Sequence, residues 1–203
     1  AVRLWLDRFS TPDSRPTKHD VLDRLSREIA RLDALLTEQV NAILHHPTFQ
    51  RLEASWRGLK YLVDQVPDDA YIKVRVLSLS WRELTRDLDR AVDFDQSQLF
   101  RKIYSDEFGL PGGEPYGLLL GDYSIRPHLR DIATLTGISQ VAAAAFAPFV
   151  ASVDPSMFEI EAFTDLERPL NLQATFEKPE YLKWRTFRET EDSRFVGLTL
   201  PRV

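Results

Sequence analysis

Two adjacent histidines, His45 and His46, have a residue type that suggests metal chemistry. They stand in the connection between two predicted helices. Two ligands from one helix must be three or four residues apart, because only those positions share a face. Neighbouring residues point in different directions, so we expect this pair to belong to the turn. The chain has no cysteine, which excludes thiolate ligands, thiol nucleophiles and disulfides.

Asp122 and Arg126, in the stretch "GDYSIRP", are the best candidates for a ligand cleft. They follow the apolar run "YGLLLGD" (116–122), which has the pattern of a strand covered on both faces. Open α/β sheets bind ligands at the carboxyl ends of their strands. The alternative, which the residue types favour, is that Asp122 caps a turn and Arg126 pairs with a surface carboxylate.

The charged stretch "RETEDSR" (188–194) places the carboxylates Glu189, Glu191 and Asp192 between arginines, the last of them Arg194. Paired carboxylates do acid–base chemistry when burial separates their pKa values. Nothing in the sequence indicates burial, so a helix end with ordered salt bridges is the favoured interpretation.

The remaining motifs do not match known catalytic patterns. The glycine-rich "LPGGEPYG" precedes a strand and lacks the Gly-Lys-Ser/Thr ending of a phosphate-binding loop. No serine lies in a nucleophile elbow, and His19 and His128 have no triad context. We therefore predict no catalytic residue, no cofactor and no metal, and we expect the chain not to be an enzyme.

Composition narrows the class of protein further. With 203 residues and 43% hydrophobic side chains, the chain can bury one domain core, with or without a helical extension. Its net charge is −5 with acids and bases interleaved, which argues against nucleic acid and anionic membranes as partners. No apolar run approaches the roughly 20 residues that span a bilayer. We expect a cytoplasmic protein without membrane insertion.

Two helices are predicted after a poorly ordered segment, residues 1–20, which contains a proline-rich linker. They form a helical hairpin over residues 21–66 with facing apolar stripes. The first stripe recurs at steps of three and four from Leu22 to Ile43, and it is longer than the second helix can cover. Its candidate partner-binding residues are Leu22, Leu25, Ile29, Leu32 and Leu36.

The second helix carries an unusual triplet, Trp56, Arg57 and Gly58. Trp56 lies on the apolar stripe, which predicts core packing. Glu53 and Arg57 are four residues apart and should form an ion pair on the adjacent face. Glycine inside a helix costs about 1 kcal/mol relative to alanine. Gly58 therefore indicates a close approach by another backbone.

The patterns along residues 67–203 predict an α/β domain. The alternation of Ile72, Val74 and Val76 with charged residues indicates a strand, and Ser80 with Glu83 should cap the next helix. Another helix is expected from Asp95 to Gly109, and one from Pro127 to Ala142 with Leu129, Ile132 and Leu135 inward. Further strands are predicted in "YGLLLGD", "FAPFVASV" and "RFVGLTL", with a helix in "PEYLKWRTFRE". The expected fold is a layered, mainly parallel sheet flanked by helices.

Four long stretches resemble, in order, the N-terminal half of the large subunit of the type VI secretion contractile sheath, the TssC/VipB (ImpC/EvpB) family. They are "ILHHPTFQRLEASWRGLKYLV", "LFRKIYSDEFGLPGGEPYGLLLGDY", "AAAAFAPFVASVDPSMF" and "EYLKWRTFRETEDSRFVGLTLPRV". The resemblance covers about residues 35–203. Family members run beyond "GLTLPRV", so a fragment is expected, without the C-terminal segments that join neighbouring subunits by strand exchange.

The resemblance implies a structural protein. It would co-assemble with a small sheath subunit (TssB/VipA-like) and further copies of itself around an inner tube protein, and contract to propel that tube out of the cell. A cytoplasmic AAA+ ATPase would disassemble the contracted sheath, but none of its contacts can be assigned within residues 1–20. In this interpretation six residues are architectural: Glu53, Trp56, Arg57, Gly58, Asp122 and Arg194. The open alternative is a ligand-binding or enzymatic domain with a cleft near Asp122 and Arg126.

Overall fold

A computed structural model describes residues 17–67, 70–167 and 171–200. The chain forms two units, residues 1–71 and residues 72–203. The first holds two long helices, and the second holds the sheet with its shorter helices.

A capping box starts the first helix, α1 (Lys18–Leu44). The Thr17 hydroxyl accepts a hydrogen bond from the Asp20 amide at 3.3 Å, and the Asp20 carboxylate accepts one from the Thr17 amide at 2.9 Å. These bonds satisfy amides that have no partner inside the helix. The helix therefore begins earlier than the expected start at Val21. Residues 1–16 of the segment predicted to be poorly ordered lie outside the described residues.

The two histidines serve the turn between the helices, as predicted. The second helix, α2 (Pro47–Asp64), begins with Pro47 at its first position. His46 is the N-cap, and its Nδ1 accepts a hydrogen bond from the Thr48 amide at 3.2 Å. The ring of His45 bonds back to the carbonyl oxygen of Asn41 at 2.8 Å.

Neither α1 nor α2 buries a residue. The prediction that the two apolar stripes cover each other is therefore wrong, and so is the prediction that Trp56 packs in a core, since 60% of this residue is exposed. Spacing by three and four identifies the apolar side of a helix, but it does not identify what covers that side. The described residues of this unit do not cover it.

The second unit is built on a sheet of three parallel strands, β1 (Leu119–Ile125), β2 (Phe149–Val153) and β3 (Val196–Thr199), in the order β1-β2-β3. Leu119 pairs with Phe149, and Phe149 pairs with Val196. The register of β1 shifts between Gly121 and Ser124. The predicted strand at 116–122 thus lies further along the chain, and Asp122 is inside the strand and not in the loop after it.

Among the described residues of this unit, five α-helical segments accompany the sheet, besides short 3-10 turns. They are α3 (Trp81–Arg90), α4 (residues 98–108), α5 (Leu129–Ala144), α6 (Leu172–Glu177) and α7 (Leu182–Glu189). Helix α5 connects β1 to β2, and α6 and α7 lie between β2 and β3, because parallel strands need connections that cross back over the sheet. Ser80 and Glu83 form the predicted capping box of α3.

The start of α4 differs from the prediction. The expected cap, Asp95, lies in a 3-10 turn, and Ser97 is the N-cap. The Asp87 carboxylate of α3 accepts hydrogen bonds from the amides of Gln98 and Leu99 at 3.0 and 2.9 Å. A carboxylate at this place accepts hydrogen bonds from amides that have no partner inside the helix. Its negative charge also interacts favourably with the positive end of the helix dipole. The helix continues through a π-helical turn, Arg101–Ser105, and reaches Gly109, the predicted end.

The core lies between α5 and the sheet. Ile132 and Leu135 are buried as predicted, whereas Leu129, the first residue of α5, is exposed. The larger buried apolar residues, which include three from α3 and α4, are Leu84, Leu99, Ile103, Ile125, Ile132, Leu135, Ile138, Val141, Phe149, Val153, Met157, Tyr181 and Phe187. The predicted strands "FAPFVASV" and "RFVGLTL" and the helix in "PEYLKWRTFRE" are confirmed by β2, β3 and α7.

The strand predicted around residues 71–80 is not part of the sheet. This stretch has no regular secondary structure, and in the described chain the sheet has three strands instead of four. Alternation of apolar and polar residues favours an extended backbone. A strand also needs a neighbouring strand to bond with, and the residues that the structure describes do not supply one there.

Candidate interaction surfaces

An exposed apolar stripe runs along α1. Its residues follow steps of three, four, three and four, which is the spacing of a coiled-coil seam. All five predicted partner-binding residues lie on it, with exposures between 45% and 62%: Leu22, Leu25, Ile29, Leu32 and Leu36. Monomeric proteins seldom leave a long contiguous apolar surface in water. The stripe therefore has the character of an interface.

The triplet on α2 is only partly as predicted. Arg57 and Glu53 form the expected ion pair, with Nη2 and Oε1 2.7 Å apart. Trp56 is exposed beside them. A Cβ placed on Gly58 would meet no atom within 4 Å, so the described chain provides no close backbone approach there. The predicted close approach by another backbone stays a prediction, and it would have to come from outside the described residues.

An ion-pair cluster holds residues 72–76 against the turn after α4. Lys73 pairs with Glu114, and Arg75 pairs with Glu107. A second guanidinium nitrogen of Arg75 lies 3.1 Å from Glu114 Oε2. The guanidinium carbon is 5.4 Å from the ring centroid of Tyr116, which places a cation over an aromatic face. Side chains, and not backbone bonds, fix this extended segment.

The acidic half of the cluster depends on a tight turn. Oε2 of Glu107 accepts a hydrogen bond from the Glu114 amide at 2.8 Å. This bond, followed by Arg75, lowers the pKa of the Glu107 carboxyl against the opposing effect of burial, and Lys73 is the main cause that lowers the pKa of Glu114. A Cβ on Gly113 would lie 2.1 Å from the Glu107 carbonyl oxygen, so only glycine fits there. Both carboxylates are thus kept ionised beside their cations.

The other end of the segment is fixed at β1 and α5. The hydroxyl of Tyr123 donates a 2.6 Å hydrogen bond to the carbonyl oxygen of Leu79. The rings of Trp81 and Tyr123 are 5.1 Å apart, and Nε1 of Trp81 donates to Asp131 at 3.0 Å. Residues 72–80 are therefore anchored at both ends.

Asp122 and Arg126, the candidate residues for a ligand cleft, lie within β1 and just after its carboxyl end. Arg126 lies 3.7 Å from Asp154, which directly follows β2, and Asp122 lies on β1. Asp154 also caps the 3-10 turn Pro155–Phe158 through the Ser156 amide. Burial raises the pKa of Asp154, but the hydrogen bonds from Ser156 and the charge of Arg126 outweigh it, so the pKa is lowered overall. These groups form a cap with a surface ion pair, which matches the alternative stated for Arg126.

The acidic stretch after α7 is also structural. Arg194 pairs with Glu191 at 3.6 Å within a 3-10 turn, and its Nε donates to the Glu191 carbonyl oxygen at 2.8 Å. Within residues 17–67, 70–167 and 171–200, no three histidine or carboxylate side chains come together as a metal would require.

The chain is similar in sequence to known sheath proteins. The model of the VipB family, described as the EvpB tail sheath N-terminal domain, matches residues 26–203. The chain belongs to this sheath family. It is also 43% identical over 186 residues to the type VI secretion system sheath protein TssC1 of Pseudomonas aeruginosa. That alignment covers 91% of the chain and 37% of the relative, so the chain spans less than half of that protein's length.

Membership of the VipB sheath family confirms the resemblance seen in the sequence and the prediction that the chain is not an enzyme. Its members are structural proteins of the type VI secretion sheath, so exposed apolar surfaces are more relevant to function than clefts. None of the helices that the structure describes is both long and apolar enough to cross a membrane.

Sequence reasoning missed the acidic half of the ion-pair cluster in this sheath protein. Lys73 and Arg75 were recognised only as the polar face of a strand, and Glu107, Glu114 and Tyr116 were not considered. Two cations at alternate positions of one segment, with carboxylates on both sides of a Gly-Gly turn, were the available signal. Their pairing spans about 40 residues, which a local pattern does not reveal.

Proposed function

We propose that this chain is the N-terminal part of a large sheath subunit that co-assembles in the cytoplasm with a small sheath subunit of the TssB/VipA kind. Further copies of the same chain extend the assembly into a helical tube around an inner tube protein. Contraction of that tube propels the inner tube out of the cell. An AAA+ ATPase then disassembles the full-length assembly. Family membership and the name of the Pseudomonas aeruginosa relative support this proposal.

The exposed stripe of α1 is the observation that carries the proposal. Its residues are apolar, lie on one side of a long helix and are uncovered within the described chain. An apolar stripe with coiled-coil spacing is best covered by the apolar side of another helix. We therefore assign Leu22, Leu25, Ile29, Leu32 and Leu36 to contact with a helix of the small subunit.

Helix α2 provides a second part of this surface. Trp56 is exposed, and large aromatic residues often dominate the binding energy of an interface. Gly58 is free of neighbours and would let a partner backbone come close. In this proposal Glu53 and Arg57 hold the polar border of the contact, since their ion pair leaves the arginine largely exposed. Asp122 and Arg194 have structural roles within the second unit.

Co-purification with the small sheath subunit tests the proposal. We expect a tagged small subunit to retain the chain, and the double variant Leu25→Asp/Ile29→Asp to reduce retention by at least about tenfold, because two charges would be buried in an apolar contact. Ala34→Asp is the matched control. It adds a charge to the same helix about 150° away from the stripe, as calculated from 100° per residue. This control should bind like the wild type.

Circular dichroism must show equal helix content in all three proteins. If the stripe variant keeps its helix content and still binds like the wild type, the stripe does not contact the small subunit. If the small subunit fails to bind the wild-type chain in any preparation, co-assembly through these residues is wrong.

A further inference from the structure

Helix α4 contains a π-helical turn, Arg101–Ser105, in the middle of its course. The amide of Asp106 bonds to the carbonyl oxygen of Arg101, five residues back instead of four. A π-helical turn inside an α-helix therefore holds one residue more than an ordinary turn. Such turns are rare, and they occur frequently at functional sites. The extra residue in α4 thus indicates a role for the residues whose direction it sets.

The extra residue decides which of two adjacent carboxylates faces the body of the second unit. Glu107 faces inward, with 12% of its side chain exposed, and it binds Arg75 and the amide of Glu114. Asp106 is turned away, with 44% of its side chain exposed, and its Oδ1 lies 3.7 Å from Nε of Arg101. Without the extra residue the end of the helix would advance by one position, so Asp106 would take the place of Glu107. Both registers of the helix end thus present a carboxylate to Arg75.

The register without the extra residue, called here the α register, requires little repacking. The residues that move, Asp106–Phe108, include no buried apolar residue. Buried Leu99 lies before the π turn, and buried Ile103 lies within it. The released residue would enter the stretch 109–113, where three of five residues are glycine, and glycine adopts many backbone conformations. The two registers therefore differ chiefly in their ion pairs and not in the core.

We propose that α4 is a two-position switch, in which the π turn and a plain α-helix interconvert and exchange Glu107 for Asp106 at Arg75. In the π register, which the structure shows, one carboxylate binds Arg75 and the amide of Glu114 together. In the α register the side chain of Asp106 is one methylene shorter, so the bond to that amide is lost. Helix register shifts take place in microseconds to milliseconds. Arg75 is thus held firmly in one register and loosely in the other.

The switch acts on the stretch of chain that enters the second unit. The first unit ends at residue 71, and Arg75 follows it closely. Residues 72–78 have no regular secondary structure and are held by side-chain ion pairs. A shift to the α register loosens this stretch, while the Tyr123 hydroxyl still holds Leu79. The register of α4 therefore regulates how firmly the chain is attached where it enters the second unit. This inference goes beyond the proposed function, because it concerns a movement inside one unit and needs no partner.

Relaxation-dispersion NMR on the whole chain tests the switch. We expect the amides of residues 72–76 and 101–110 to exchange with one minor state at a common rate, while those of β2 do not. The minor state of such an equilibrium has a population of about 0.1–10%. Glu107→Gln should raise that population about threefold, because it removes the charge that favours the π register. Asp106→Asn should lower it by a similar factor, because it removes the carboxylate that replaces Glu107.

Asp95→Asn is the matched control, because Asp95 is an exposed carboxylate in the 3-10 turn before α4. It should leave the population unchanged. Deletion of Lys102, an exposed residue of the π turn, should remove the extra residue and abolish the exchange. The amide shifts of residues 106–110 in that variant should match those of the minor state. If the deletion variant does not fold, the two substitutions at Glu107 and Asp106 decide the question.

The opposite signs of the two substitutions separate a switch from a purely structural ion pair, whose loss would change stability without moving a minor population. Exchange that is absent from both the wild type and Glu107→Gln would overturn the proposal, and so would equal effects of Glu107→Gln and Asp106→Asn. A folded Lys102 deletion variant whose shifts differ from the minor state would also overturn it. Exchange that extends through α5 and β2 would indicate partial unfolding of the unit and exclude a local switch.

Discussion

Phe146 packs its ring edge to face against Phe195, with ring centroids 6.0 Å apart, while its own backbone has a φ of 51°. It follows α5, where the amide of Ala147 bonds to the carbonyl oxygen of Ala142 at 3.0 Å. This is a helix ending that glycine normally occupies, because a side chain in the left-handed region costs about 1–2 kcal/mol. Phe146 is 80% exposed, so little burial of its side chain offsets this conformational cost.

Replacing Phe146 by glycine should stabilise the chain. The strain disappears and little ring packing is lost, so the free energy of unfolding should rise by about 1 kcal/mol. Thermal unfolding measures this. Phe146→Ala is the control, because it loses the same ring and keeps the strain. If glycine and alanine lower the melting temperature equally, the left-handed backbone at residue 146 carries no strain that glycine relieves, and the prediction is wrong.

Trp56→Ala should leave stability nearly unchanged and weaken binding of the small sheath subunit. Truncation of a largely exposed side chain changes the free energy of unfolding by only about 0.5 kcal/mol, whereas a tryptophan at the centre of an interface contributes about 2 kcal/mol or more. Trp184→Ala is the comparison, since Trp184 packs against the core and should cost about 3 kcal/mol in stability. A large loss of stability in Trp56→Ala would show instead that Trp56 is covered within the chain.

Gly113→Ala should destabilise the turn that supports the ion-pair cluster. The added Cβ would lie 2.1 Å from the Glu107 carbonyl oxygen, so the backbone must move, at a cost of about 1–3 kcal/mol. Gly117→Ala is the control, because its Cβ would meet nothing within 4 Å. Urea unfolding compares them. A loss in both variants would mean that the close contact at Gly113 is not the cause.

Acidification should break the ion pairs that Glu107 and Glu114 form with Arg75 and Lys73, because both carboxylates become protonated. The pKa values of Glu107 and Glu114 are lowered from the ordinary 4.5 in the folded chain, so their contribution to stability is present above 4.5 and is lost as pH falls through the lowered values. The melting temperatures of the wild type and of Glu107→Gln should differ at about pH 7 and converge towards about pH 3. A difference that does not change with pH would exclude a contribution from this carboxylate's charge.

The chain alone should fold without forming tubes. Its three strands and α5 provide a core, but helical assembly needs complementary surfaces, and the exposed stripe of α1 needs another polypeptide. Light scattering should find small species or irregular aggregates, and negative-stain microscopy should find no regular tubes. Regular tubes from the chain alone would mean that it carries every assembly surface itself.

The elements with local signals were predictable from the sequence. Ser80 with Glu83, Pro47 after His46, and the apolar cores of β2 and β3 all depend on neighbouring residues. Trp56 and Val74 were assigned correctly to an apolar face, but not to exposure, because periodicity does not reveal what covers a face. The pairing of Arg75 with Glu107 was not predictable, since it joins residues that are distant in sequence. Arg126 was expected to pair with a surface carboxylate, but Asp154 emerged as its partner only once the parallel register was known.

Side-chain attachment gives residues 72–78 a mechanical property that a strand within a sheet lacks. A ladder strand that slides along its neighbour must move by two residues, about 7 Å, before its faces are restored. Lysine and arginine stems change rotamer instead, so the ion pairs with Glu107 and Glu114 tolerate shifts of an intermediate size. Residues 72–78 are thus held by side-chain contacts, whereas β1, β2 and β3 are held by backbone pairing in a defined register. The second unit thus combines a backbone-bonded sheet with one border that depends on side-chain charge.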